Sequence, residues 1–295
     1  MALRTRTMIK IIDVSESNGA INWAAVAPHV DGAVIRVGYR GWGSGTIVRD
    51  ARAIENLQQA AHYKIPVGVY FVTQAVTEVE AINEAQYCHD TVTLAGVQLT
   101  LPICYDDEPA GGADGKGRRD IIGKSAKTQT ALAFVDQCKR MMQTPALYCS
   151  NSWFLHMLDG EAVRKEGAVI WISSYPGRRG GPSVPPTMDW DAWQFSPWER
   201  VPGIGTDTDM SYFKRSKVGG KDNMTNQEFG AALAAYRKTL QDNDAGDWSR
   251  DARNWAIKTG LMHGGGDGNY MWQDFLTREQ LVTVLHRFAQ MMGKA

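Results

Sequence analysis

Short apolar runs alternate with longer stretches of helical spacing over residues 1–218. The runs that predict strands lie at 8–13, 32–38, 66–72, 101–106, 145–149, 168–173 and 191–195, and a last short one falls between 201 and 210. Between them the spacing predicts helices at 49–63, 77–91 and 128–142, with shorter ones at 22–27 and 153–158. In the first of these, Ala53, Leu57, Ala60 and Ala61 share one face, and Thr77 followed by Glu80 has capping-box spacing. Between 174 and 213, Gly, Pro and turn residues replace any helical period. Strand–helix alternation of this kind predicts an α/β fold, and seven or eight strands predict a TIM-like (β/α) barrel. The barrel is expected to be irregular, its last strands joined by loops without helices.

The texture changes near residue 219. Residues 218–223 read as a linker, and an internal repeat follows. Met224-Thr-Asn-Gln-Glu-Phe-Gly-Ala-Ala-Leu-Ala-Ala-Tyr236 aligns with Leu276-Thr-Arg-Glu-Gln-Leu-Val-Thr-Val-Leu-His-Arg-Phe288, an offset of 276 − 224 = 52 residues. Each copy opens on a Thr suited to an N-cap and continues with apolar residues at helical spacing. A further helix is predicted at 249–259, followed by a glycine-rich run to Tyr270. The expected organisation is thus a barrel at 1–218 and a small all-α module at 219–295.

Candidate chemistry concentrates in Leu101-Pro-Ile-Cys-Tyr-Asp-Asp-Glu-Pro109. Strand alternation sends Asp106 and Glu108 to one side and Asp107 to the other. Two carboxyls on one face repel each other, which raises a pKa and can keep one protonated as a general acid. In barrels of this class the chemistry sits at the C-terminal ends of strands. Asp13 ends the first predicted strand, and Asp209 lies near the end of the last. Arg36, Tyr39, Tyr70, Tyr148, Trp171, Tyr175 and Trp193 also fall near strand ends, where aromatic faces can line a ligand cleft, with barrel core an equal reading for Trp171 and Trp193. Two glycine-rich loops, 110–117 and 175–186, are candidate rims of the cleft.

Composition narrows the classes. Lys+Arg and Asp+Glu both number 32, so no basic excess points to nucleic acid. Cys88, Cys104, Cys138 and Cys149 form no C-x-x-C pair and read as reduced core residues; the six histidines show no metal-ligand spacing. No metal and no cofactor is expected. No apolar run is long enough for a membrane span, and no signal-peptide segment follows the charged N-terminus. Synthesis in the cytoplasm is expected, with action elsewhere requiring a separate route of release.

Four segments together resemble glycoside hydrolase family 25, the N-acetylmuramidase lysozymes of bacteria and phages. They are Ile12-Asp-Val-Ser-Glu-Ser-Asn-Gly-Ala-Ile-Asn-Trp23, Pro66-Val-Gly-Val-Tyr-Phe71, Leu101 to Glu108, and Trp193-Gln-Phe195 with Thr208-Asp-Met-Ser-Tyr-Phe213. The chain departs from the family at Asn22, where an acid is common, and at Asp107, where an apolar residue is common. The resemblance implies hydrolysis of the β-1,4 bond from N-acetylmuramic acid to N-acetylglucosamine in peptidoglycan. It implies Glu108 as general acid, Asp106 as its partner carboxylate, and Asp13 and Asp209 in orientation and pKa tuning. Whether the sugar's own N-acetyl oxygen attacks, or a carboxylate activates water or attacks directly, stays open. A non-catalytic glycan-binding barrel, or a hydrolase of chitin-like glycans, are the other readings.

The tail resembles a surface-layer homology repeat in Trp255-Ala-Ile-Lys-Thr-Gly-Leu-Met-His-Gly264, Gly266-Asp-Gly-Asn-Tyr270 and Leu276-Thr-Arg-Glu-Gln-Leu281. Asn226 stands where such repeats have Arg, so the earlier copy looks degenerate. The resemblance implies anchoring to a secondary cell-wall polymer, with Arg278 as the basic contact, or self-association for avidity. A helical cap that only stabilises or dimerises the enzyme is the alternative. Together the parts predict a modular phage endolysin.

Overall fold

The computed structural model describes residues 7–110, 116–182, 184–217, 230, 233–237, 245–264, 268–274 and 276–293. It divides into two compact units, Met1–Gly220 and Lys221–Ala295.

The first unit is a barrel. Its strands are β1 (Met8–Val14), β2 (Gly32–Arg40), β3 (Ile47–Arg49), β4 (Val67–Val72), β5 (Ile103–Asp106), β6 (Pro145–Ser150), β7 (Val169–Ser173), β8 (Ala192–Glu199) and β9 (Thr208–Lys214). The order is β1-β9-β8-β7-β6-β5-β4-β2, closed by β1 pairing with β2, while β3 hangs on the outer edge of β2. Neighbours from β1 through β2, β4, β5, β6 and β7 to β8 are parallel. β9 is antiparallel to both β8 and β1. The reason lies in the connection: a parallel return needs a crossover of about a dozen residues or more, and only residues 200–207 separate β8 from β9.

Helices α1 (Trp23–Val26), α2 (Ala53–His62), α3 (Glu78–Ala95), α4 (Lys124–Arg140) and α5 (Gly160–Lys165) connect the earlier strands. Side chains alternate across each strand, so the barrel has two cores. Outward residues such as Ile12, Ile35, Phe71, Tyr105 and Leu147 pack with helix residues such as Leu57, Ala81 and Phe134. Inward residues, among them Ile11, Val34, Cys104, Ala146, Trp171 and Phe213, fill the lumen. Two steps further along β1 and β5 the inward positions become Asp13 and Asp106. The lumen is therefore apolar at its floor and acidic at its mouth. All four cysteines are buried and free.

Several elements shift from their sequence-based expectations. The helix expected at 49–63 starts at Ala53, because Ile47–Arg49 pair with Gly38–Arg40 as a strand. The helix expected at 77–91 continues to Ala95 and stops at Gly96, whose φ of 68° is left-handed. Thr77 caps it, accepting from the Glu80 N–H, but the Glu80 carboxylate accepts from Val76 N–H instead of closing a capping box. Residues 153–158 form a π-helical turn, Trp153–Met157. The last strand runs from Thr208 to Lys214, beyond the expected 201–210.

In the second unit, α6 spans Arg250–Lys258 and α7 spans Arg278–Met291. Thr277 caps α7, and its reciprocal bond with Gln280 completes a capping box. The linker at 218–223, most of the first repeat copy and residues 111–115 of the first rim loop lie outside the described residues; Gly230 and residues 233–237 are helical. Among the described residues no helix is long and apolar enough to cross a membrane.

Gly68 faces inward at the lumen floor, where an added Cβ would lie 2.6 Å from the Pro102 carbonyl oxygen. That obstacle is backbone and cannot rotate away. Gly68→Ala is expected to lower stability by about 1–3 kcal/mol, read as a lower urea midpoint.

Candidate active site

The acids expected from sequence converge at the mouth of the barrel. Asp13 ends the inward series of β1, and Asp209 sits directly opposite it in the β1–β9 register. Asp209 is the second residue of its strand, where sequence placed it near a strand's end. The correction follows from direction: β9 is antiparallel, so its beginning lies at the same mouth as the ends of the parallel strands. Asp106 is the last residue of β5, and Glu108 follows beyond strand pairing.

A cavity of about 120 Å³ is lined by Asp13, Asp106, Glu108 and Asp209, together with Arg36, Tyr70, Val72, Tyr148, Trp171 and Gln194. Asp13 and Asp209 lie within hydrogen-bonding reach of each other. Gln194 Nε2 donates to both oxygens of Asp13, at 3.2 and 3.4 Å, and Gln194 Oε1 accepts from the Tyr148 hydroxyl at 2.9 Å. Trp171 Nε1 donates to Ser211 Oγ at 3.1 Å. Arg36 is held from behind, by Asp50 at 2.8 Å and Glu16 at 3.3 Å. Asp106 Oδ1 is buried with no hydrogen-bond partner among the described residues.

Burial is the largest cause of the raised pKa values throughout this cluster. It pushes Asp13 well above the usual carboxyl range, and the Asp209 charge adds to it. Asp106 is also raised well above that range, by burial, then Glu108, then Asp13, with Arg36 opposing. Glu108 reaches solvent at the mouth but is walled by protein; burial raises it, followed by Asp209 and Asp107. Burial raises Asp209, and the bond from Asp13 lowers it. Tyr70 and Tyr148 are pushed up by burial and by the acids around them, so they stay neutral donors.

The aromatic expectations divide. Tyr70, Tyr148 and Trp171 line the cavity with Arg36. Tyr39 lines an adjoining cavity of about 260 Å³, which shares Arg36, Val72 and Glu108 with the first and adds Trp42 and Gln74. Tyr175 lines neither, although burial and the charge of Glu108 raise its hydroxyl; its ring meets Trp198 edge-on. Trp193 is a correction. Its neighbour Gln194 points inward, so alternation turns Trp193 outward, between Trp190 and Phe195, with its Nε1 donating to the Ser174 carbonyl. Gln194, Trp42 and Gln74 were not anticipated. Inward parity on β8 is the signal that would have found Gln194.

In the second unit, Arg278 is exposed in the first turn of α7. It does not line that unit's cavity of about 670 Å³, whose walls include Tyr270, Trp272 and Arg287.

The family model of glycosyl hydrolases family 25 matches residues 12–204. The chain belongs to that family. Among solved structures, the modular autolysin LytC from Streptococcus pneumoniae aligns at 26% identity with a TM-score of 0.59, covering 72% of this chain and 48% of that one. The chain thus spans about half the length of that autolysin. The catalytic domain of endolysin ply40 from bacteriophage P40 of Listeria monocytogenes shares the fold at 21% identity and a TM-score of 0.56, over 77% of this chain and 99% of that one. The CTP1L endolysin shares it at 18% identity and a TM-score of 0.53, over 97% of this chain and 99% of that one. No match is found among curated proteins.

The family 25 cluster carries a stability cost with a defined pH dependence. Asp13, Asp106, Glu108 and Asp209 all hold protons more tightly folded than unfolded. From the ordinary carboxyl range near ~4 up to the raised native values, the unfolded state binds fewer protons, so stability falls as pH rises. Asp106→Asn removes one of these charges. It is expected to raise the Tm at pH 7 by about 2–4 °C, ~1 kcal/mol, an advantage that disappears below pH ~4 in thermal melts.

Proposed function

We propose that the chain hydrolyses the β-1,4 bond between N-acetylmuramic acid and N-acetylglucosamine in peptidoglycan, as an N-acetylmuramidase. The observation that carries this reading is the pairing of a solvent-reaching Glu108, raised in pKa, with a buried Asp106 whose Oδ1 has no partner. Glu108 is the proton donor to the leaving glycosidic oxygen, in an oxocarbenium-like transition state. Asp106 offers Oδ1 to the sugar's acetamido N–H. It stabilises the positive charge that develops there as the acetamido oxygen attacks the anomeric carbon.

The electrostatics couple the two acids. After burial, the largest influence raising Asp106 is the Glu108 charge. Protonation of either acid removes that repulsion; the proton is assigned to Glu108 because Glu108 reaches solvent, where the leaving oxygen departs, while Asp106 faces Arg36. Asp13 and Asp209, facing each other across the β1–β9 pairing with Asp13 braced by Gln194, form the wall that orients the sugar. Activity should fall at high pH as Glu108 deprotonates, above the ordinary glutamate range, and at low pH as Asp106 is neutralised.

The wider role we assign is that of a phage endolysin, made in the cytoplasm and acting on the wall after release. The fold likeness to two endolysins, one aligned along 97% of this chain, supports it. The second unit is assigned to wall attachment, through a secondary cell-wall polymer and Arg278, or to self-association.

Glu108→Gln is expected to fold normally and to lose release of reducing ends from purified peptidoglycan by at least about 100-fold. Retained activity would remove Glu108 from the acid's role. Mass spectrometry of wild-type products should find N-acetylmuramic acid at the new reducing end; N-acetylglucosamine there means a different bond. A chain ending at Gly220 should cleave soluble fragments normally and sediment less with whole walls. Unchanged sedimentation would leave the second unit a stabilising cap.

A further inference from the structure

Glu108 lies two residues past the last β5–β6 register pair and has no hydrogen bond of its own among those of the described residues. Something other than strand pairing must therefore fix the carboxyl group. On its N-terminal side, Asp107 is fully buried and forks onto Arg119, with Nε to Oδ1 and Nη2 to Oδ2 both 2.6 Å. Arg119 spends its remaining donors on the Ala75 carbonyl at 2.8 Å, Thr130 Oγ1 at 2.7 Å and the Lys127 carbonyl at 3.1 Å. All five guanidinium N–H groups are thus engaged. These partners belong to the turn after β4 and to α4, so Asp107 is tied to two neighbouring elements of the barrel wall.

The C-terminal side is held by the next residue of the same run. Asp120 Oδ2 accepts from Ala110 N–H at 3.3 Å and from Gly117 N–H at 2.6 Å. Gly117 fits there only as glycine, since a Cβ would collide with Gln74 and Ala110. Arg118, between the two, donates its N–H to the Trp42 carbonyl at 3.0 Å and pairs with Glu80 at 2.8 Å.

We propose that residues 117–120 are a clasp that positions Glu108, with Arg119 pinning Asp107 before it and Asp120 pinning Ala110 after it. Arg119, Asp107 and Asp120 are positioning residues and touch no substrate. The inference rests on the proposed role of Glu108 as proton donor. A misplacement of about 1 Å at a reacting group costs about 100-fold in rate, so the clasp is read most directly in proton delivery.

Two variants loosen it. Asp107→Leu combined with Arg119→Met removes the ion pair without stranding a buried charge. Asp120→Ala releases the other side and leaves the Asp107 charge in place. With folding verified by near-UV circular dichroism, each should lower kcat on soluble peptidoglycan fragments by about 10- to 100-fold with KM within about twofold. Hydrolysis of an aryl glycoside with a 2,4-dinitrophenolate leaving group, which departs without a proton, should be nearly spared. Equal losses on both substrates would overturn the clasp and leave a structural role only. A second readout needs no turnover. In the full chain carrying 13C-labelled glutamate, with Glu108 assigned through Glu108→Gln, both variants should move its titration midpoint down toward the ordinary range as the side chain gains water. Asp120 is not among the charges that raise Glu108, so in Asp120→Ala such a move reports position; an unmoved midpoint there would overturn the proposal. If the wild-type chain releases no reducing ends from peptidoglycan, the reading of the substrate fails while this titration still decides the clasp.

Discussion

Closure of the barrel places carboxyl groups from three strands around one opening, and their mutual repulsion shapes the site. Asp13 and Asp209 are forced together by the β1–β9 register, and neither can move without breaking that pairing. Burial and that repulsion push the Asp13 pKa up, and the Gln194–Tyr148 hydrogen bonds brace Asp13 from behind. A buried acid pair that cannot ionise together is unstable as a structural element but useful as a wall that donates and accepts hydrogen bonds.

The same alternation that fills the lumen with Ile11, Val34 and Cys104 delivers Asp13 and Asp106 to its mouth. Function is thus a continuation of packing, two residues further along the strand. The floor must be small and apolar, and Gly68 and Gly32 meet that demand because neighbouring atoms crowd their missing Cβ positions. The mouth has room for acids because the strands diverge into loops there and Arg36 supplies a cation braced from outside by Asp50 and Glu16.

Much of this was legible in the chain. Alternation alone separated Asp106 and Glu108 from Asp107, and capping chemistry placed the start of α7 at Thr277. The direction of β9 was not read, although the short connection at 200–207 carried that information and would have placed Asp209 at the start of its strand. Trp193 was judged by residue type where parity governed, and the same parity would have revealed Gln194. Arg119 had no readable signal. Its contact with Asp107 spans a glycine-rich loop, and nothing in local periodicity specifies which of several basic residues folds back.

Asp106 and Asp107 make the governing argument in two adjacent residues. Both are buried aspartates, and both would be costly if left charged and alone. Asp107 points outward into the wall, where Arg119 matches it with a planar fork and every donor finds an acceptor. It is electrostatically settled and chemically inert. Asp106 points inward, where Arg36 is its attenuating cation and one oxygen is left without a partner. One residue of register decides between them, and the acid assigned to the chemistry is the one from which the fold withholds a full counter-charge. A strand that slipped by a single position would exchange the two, burying the reactive carboxylate in an ion pair and exposing the inert one to solvent. What opposes that slip is the register of β5 with β4 and β6 and the outward packing of Tyr105, and these keep Asp106 and Glu108 facing the cleft.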